Sequence, residues 1–97
     1  MSDIEYKFRE DELLAEIGEY IDSTYDQHYA KKRRLQTIEI VIDRGRGEGF
    51  CWGNVDKYSN RYGSKGTNED ARKDILKVIH YAILALYVHD KEKRGIE

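Results

Sequence analysis

Leu35-Gln36-Thr37-Ile38-Glu39-Ile40-Val41-Ile42-Asp43-Arg44 decides whether this chain is all-helical or mixed. Its Thr37–Ile42 core is crowded with β-branched residues, the composition of a strand. Ile38, Val41 and Ile42 nevertheless fall at i, i+3 and i+4, the spacing of a buried helical stripe. A strand must pair its backbone N–H and C=O groups with a neighbour, and no other stretch of the chain reads as one. The segment is therefore read as a helix, and the chain as all-α.

Downstream, Gly45, Gly47 and Gly49 end that element and form a bend that sets the angle to the next helix. A second amphipathic pattern starts near Phe50. Cys51, Val55, Tyr58 and Tyr62 share one stripe; Asn54, Lys57 and Arg61 share another. Gly63 is placed to close this helix in a left-handed conformation. The last helix has the clearest start: Thr67 suits an N-cap and Asp70, three residues on, can return the bond as a short capping-box acid. It should run to about Asp90. Past Ile75 its apolar residues cover most of the circumference, so this long C-terminal helix is central or lies at a subunit interface.

Upstream, Leu13, Leu14, Ile17, Tyr20 and Ile21 predict a first helix from about Glu10 to Ser23. Residues 1–9 read as a loose arm, 24–34 as a solvated connector and 91–97 as a polar tail. The four consecutive basic residues of the connector, Lys31 to Arg34, offer a small electrostatic footprint for a phosphate. The expectation is one domain over residues 1–97, a compact bundle of about four helices.

Composition narrows the function classes. Charged residues make up 37 % of the 97, yet the formal net charge is −2. That balance argues against a general nucleic-acid binder, which is usually strongly basic. There are eight tyrosines and no proline, so much of the apolar content is amphipathic and no helix is stopped by a ring. A single Cys51 suits a reducing compartment. No signal peptide is visible, and the apolar-rich run from Val78 to Val88 is shorter than the ~20 residues that span a bilayer. A cytoplasmic protein without a membrane partner is expected.

Several constellations can carry chemistry. Gly63-Ser64-Lys65-Gly66-Thr67 precedes a helix N-terminus, where backbone N–H groups and the dipole favour an anion. Lys65 adds a charge there, and Lys57 and Arg61 project from the preceding helix. The competing reading is a tight helix–helix turn with a capping threonine; the P-loop spacing is missing. Asp74 is placed to hold Lys77 or Arg61. His80 can serve as a general acid or base near neutral pH, or as a hydrogen-bonded core or interface residue. Glu12, Glu16 and Glu19 share a face of the first helix, and Glu16 to Glu19 gives the E-x-x-E spacing of the all-α nucleoside-triphosphate pyrophosphohydrolases (the MazG-like group). Their second acidic motif is absent here. Cys51, without a C-x-x-C partner, reads as a packing residue rather than a metal ligand, and Trp52 as a core residue.

Phe50-Cys51-x-Gly53-Asn54-Val55-x-Lys57-Tyr58-x-x-Arg61-Tyr62-Gly63-x-Lys65, followed by Asp74-Ile75-x-Lys77-Val78-x-x-Tyr81, resembles the small bacteriophage domain described as nucleotide kinase-like, also called the SaV-like group, whose function is largely unknown. The resemblance covers about residues 36–85. Asp56 departs from it, standing where that group usually has an apolar residue. It implies a phage accessory protein, a compact helical fold, a homo-oligomer and a link to nucleotides, in the cytoplasm of an infected host. By position it makes Asn54, Lys57, Tyr58, Arg61, Lys65, Asp74, Lys77 and Tyr81 the ligand-binding residues. Lys57, Arg61 and Lys65 would neutralise phosphate, Asn54 and Tyr58 would fix base or ribose, and Asp74 and Lys77 would orient them.

The leading expectation is thus a protein that binds a nucleotide or phosphorylated nucleoside. Were it an enzyme, nucleotide phosphoryl transfer would be its reaction, with Mg²⁺ as companion. The rival readings are non-catalytic sequestration of a signalling nucleotide and a module that acts on a host protein. Neither the nucleotide's identity, nor turnover, nor subunit number can be read from the residues.

Overall fold

The computed structural model describes residues 3–29, 33–64 and 66–95, with side chains at all of these except 26–29 and 33–36. Lys65 and the side chains of the 31–34 basic run lie outside that description. Four helices follow one another: α1 (Glu10–Tyr29), α2 (Arg33–Asp43), α3 (Gly47–Arg61) and α4 (Asn68–Lys93). The described residues contain no strand. The chain is all-α, and 35–44 contributes a helix rather than a strand.

Element boundaries differ from the expected ones in instructive ways. α1 continues past Ser23 to Tyr29. The Ser23 and Thr24 hydroxyls donate back to the carbonyls of Tyr20 (2.6 Å) and Ile21 (2.7 Å) within it. α2 ends in a Schellman motif: Gly45 N–H bonds Ile42 O at 3.0 Å and Arg46 N–H bonds Val41 O at 3.1 Å, with Gly45 at φ +76°. The bend is that single glycine. Gly47 and Gly49 belong to α3, which starts three residues before Phe50.

α3 and α4 form an antiparallel hairpin and make most of the tertiary contact. α3 ends in a type II turn, with Tyr62 at φ −52°, ψ 124°, Gly63 at φ +74°, and Ser64 N–H bonded to Arg61 O at 3.0 Å. α4 opens with the expected capping box. Asp70 N–H bonds Thr67 Oγ1 at 3.1 Å, and Thr67 N–H bonds Asp70 Oδ2 at 2.9 Å. The Thr67 N–H and the Thr67 hydroxyl, which also reaches Asp70 Oδ2 at 3.1 Å, hold the Asp70 carboxyl below its usual range.

The core is small. Cys51, Ala85 and Val88 are buried together, and Ile42, Phe50 and Leu84 pack against them. Desolvation at this position pushes the Cys51 thiol up, so it is a packing residue, as its isolation in sequence implied. Gly47 lets α3 approach α4: a Cβ here would lie 3.1 Å from a methyl of Val88 and 3.1 Å from Ile42. Trp52 corrects the sequence reading. It sits one residue past the buried face, 51 % exposed, outside the core.

α1 and α2 are fastened more lightly. Arg72 on α4 grips both carboxylate oxygens of Glu16 on α1, and the Tyr20 ring meets His80 edge-on at 6.0 Å. α2 contributes Ile42 to the core and Asp43 to Lys91 at 3.8 Å.

Two stability tests follow from these contacts. Gly47→Val should lower unfolding stability by about 1–3 kcal/mol through overpacking against Val88. Gly53→Ala, inside α3 with nothing within 4 Å of its new Cβ, should raise it by about 0.5–1 kcal/mol. Urea melts of both variants check the pair. Thr67→Ala should cost about 1 kcal/mol at neutral pH. Because Asp70 has a lowered folded pKa, its share is present above the ordinary aspartate value and lost as pH falls through the lowered one. The gap between Thr67→Ala and the parent should therefore narrow on acidification.

Candidate functional site

The antiparallel register of the hairpin brings Tyr58 on α3 opposite Tyr81 on α4. Their rings lie near-parallel, 13° apart in plane and 6.0 Å between centroids, and both side chains are buried. Phe50 meets the Tyr81 ring edge-on at 5.9 Å. Three cations surround the Tyr58 ring: Lys57 Nζ at 5.0 Å, Arg61 Cζ at 5.1 Å and Lys77 Nζ at 5.1 Å from its centroid. Ring electrons attract each of them, which offsets part of the repulsion among like charges this close.

One carboxylate answers the three. Arg61 donates from Nε and Nη2 to Asp74 Oδ1, at 3.2 and 2.9 Å. The Asp74 side chain is 5 % exposed and that of Arg61 48 %. The pairing raises the Arg61 pKa, fixing its charge. Of the two partners envisaged for Asp74, the structure selects Arg61. Among the described residues Lys57 and Lys77 have no carboxylate within ion-pair distance. The cluster keeps a net positive charge beside buried aromatic surface.

Other expected site residues fare differently. Asn54 donates its amide to Phe50 O of its own helix at 2.9 Å, leaving its side-chain oxygen as the polar group on offer. The start of α4, read as a possible phosphate position, holds the Thr67–Asp70 capping box, and Lys65 of that loop lies outside the described residues. Glu16, half of the E-x-x-E spacing, is bound to Arg72, which lowers its pKa, and Glu12 pairs with Arg9 at 3.2 Å. No three His, Cys, Asp or Glu side chains among the described residues are grouped to hold a metal ion.

A groove of about 910 Å³ runs from this cluster between α4, α1 and α2. Tyr58, Lys77 and Tyr81 form part of its wall, and Tyr20, Tyr25 and Tyr87 line it further along. Lys73 adds a fourth cation at its edge, and His80 lies in the wall, packed between Tyr20 and Tyr81. Sequence reasoning missed Lys73, Tyr20 and Tyr87 as site residues. The signal was there on α4: Lys73, Lys77, His80 and Tyr87 recur at helical spacing on one side. Tyr25 was assigned to a connector because α1 was ended too early.

The ion pair gives an asymmetric test. Arg61→Ala strands a buried charge on Asp74, whereas Asp74→Ala frees a half-exposed guanidinium to water. Arg61→Ala should therefore lower the thermal midpoint more, and the double variant should recover part of that loss. Equal losses in both single variants would contradict the burial asymmetry.

No helix among the described residues is long and apolar enough to cross a membrane. No curated protein and no solved structure matches the chain. A family model described as a protein of unknown function, DUF3310, matches residues 23–82, from the second half of α1 to the middle of α4. That span contains the whole Tyr58 cluster and exceeds half the chain, and the protein belongs to the DUF3310 family.

Proposed function

We propose that this protein binds a nucleotide or phosphorylated nucleoside, with phosphate against Lys57, Arg61 and Lys77 and the base in the tyrosine-lined groove. The observation that carries this reading is the placement of three cations around one buried ring at the wall of an aromatic groove. Lys57 and Lys77 supply charge not already matched by a carboxylate, and Arg61, fixed by Asp74, presents its remaining N–H donors. Tyrosine rings offer flat apolar faces with a polar tip, the kind of surface on which a base stacks. The groove's volume falls within the ~300–1,000 Å³ of small-molecule sites. The resemblance to the bacteriophage nucleotide kinase-like domain supports the same ligand class.

Binding needs no more than this. Phosphoryl transfer would add a demand: the same cations would offset charge spreading over the transferred phosphoryl group, and a second substrate would need its own place. Asp74, the buried carboxylate of the cluster, is engaged with Arg61, which favours holding a nucleotide over activating one. Sequestration is therefore the form of the proposal that the geometry supports best.

Calorimetric titration with nucleoside mono- and triphosphates at low salt tests it. Binding should weaken about tenfold or more in Lys57→Ala and in Lys77→Ala, since a charge-assisted bond is worth about 1.5–3 kcal/mol. It should fall further as salt screens the cluster. Tyr87→Ala should reduce nucleotide affinity while leaving competition by inorganic phosphate unchanged. Absence of binding at millimolar nucleotide, or affinity indifferent to both lysines, would refute the site. Chromatography of the recovered nucleotide separates the two forms: an altered nucleotide would establish turnover and end the sequestration reading.

A further inference from the structure

The cations at the groove are not equivalent. Arg61 is matched by Asp74. Lys57 and Lys77 stand over the Tyr58 ring. Lys73 lies one helical turn before Lys77 on α4, exposed at the groove's edge. It has no carboxylate within ion-pair distance among the described residues. Asp70, a turn earlier, feels its charge, but that carboxylate is bonded to Thr67. A phosphate monoester carries about 1.5–2 negative charges at pH 7, which Lys57 and Lys77 already balance. Lys73 is one charge more than a single phosphate requires. Lys73 and Lys77 are four residues apart, so their side chains leave the helix side by side and repel each other. An anion long enough to touch both removes that repulsion.

The groove also has a direction. Glu16 meets Arg72 and Tyr20 meets His80, so α1 and α4 run side by side with the same sense. The lysines stand toward the beginning of α4. Tyr25 and Tyr87 lie further along their helices, Tyr87 ten residues past Lys77, which is about 15 Å at the helical rise. Glu39, the one carboxylate among the described lining residues, is a turn from Ile42, which packs against Ala85 and Val88. The tyrosine end is therefore the end that repels phosphate. A base seated there holds its first phosphate one ribose away, short of Lys73. Further phosphates in line carry negative charge that far.

We propose that the ligand of this groove carries a chain of two or more phosphates, and that Lys73 recognises those beyond the first. This rests on the nucleotide reading of the same site and narrows it to nucleoside di- and triphosphates. The first phosphate lies against Lys57 and Lys77 beside the Tyr58 ring, and the chain continues toward the beginning of α4 to reach Lys73. Lys73 thus sets selectivity for chain length, whereas the Tyr58 cluster sets affinity for phosphate as such.

Titration calorimetry with the mono-, di- and triphosphates of the common nucleosides, at one ionic strength, tests this on the parent, Lys73→Gln and Lys57→Gln. For a nucleoside that binds, the parent should hold the diphosphate about tenfold tighter than the monophosphate, the worth of one charge-assisted bond. Lys73→Gln should abolish that ratio by weakening the di- and triphosphate while leaving the monophosphate unchanged. Lys57→Gln should weaken all three alike. Lys73 is exposed and glutamine is a good helix former, so helical circular dichroism should match the parent. A monophosphate held as tightly as the diphosphate overturns the proposal and leaves the nucleotide site standing. So does a Lys73→Gln variant that weakens all three ligands alike or none of them. If no nucleoside phosphate binds the parent, the nucleotide reading itself falls, and this proposal with it.

Discussion

A carboxylate almost removed from water must be met by a cation, and that demand at Asp74 organises the α3–α4 half of the molecule. Arg61 is the cation that meets it, at the turn end of the α3–α4 hairpin. Once those two side chains are joined, the helices can slide little against each other. Tyr58 then falls opposite Tyr81, and Cys51 opposite Ala85 and Val88. The same bond brings Arg61 to one side of the Tyr58 ring, where Lys57 from its own helix and Lys77 from the facing one complete the group. A pair that contributes modestly to stability because half of it is wet thus contributes strongly to register. The close approach at Gly47 does the equivalent at the far end, with shape in place of charge.

Much of this was legible from residue order. Helical spacing at Ile38, Val41 and Ile42 outweighed β-branched composition because a lone strand has no partner, and α2 is a helix. Thr67 and Asp70 announced the start of α4 through hydrogen bonds that reach only three residues, so local order sufficed. Lys57, Tyr58, Arg61, Asp74, Lys77 and Tyr81 do come together on one hairpin, while Asn54 bonds within its own helix. What failed was whatever depended on tertiary distance. Trp52 is apolar and adjacent to a core residue, but one residue is 100° of helix, which turns it outward. The glycines at 47 and 49 read as punctuation, yet both lie in α3, and Val88 and Ile42 leave little room for a Cβ at 47. The first helix was expected to end near Ser23, but the Ser23 and Thr24 hydroxyls turn back onto it and it runs to Tyr29.

The groove illustrates the same division. Its α4 wall is periodic and could be read from the chain; its opposite wall depends on how α1 and α2 lean, which no local pattern encodes. Among the described residues these two helices are held by a two-pronged arginine bond, a ring contact, the Asp43–Lys91 pair and Ile42 in the core.

The full burial of Cys51 gives the molecule an internal gauge. A thiol reacts only as thiolate and only when a reagent can touch it, and here both conditions fail while α3 lies on α4. Modification must therefore wait for the two helices to part, and its rate at saturating reagent measures how often they do. The native sequence already contains, without any substitution, a chemical clock for separation of the hairpin on which its charged cluster is built.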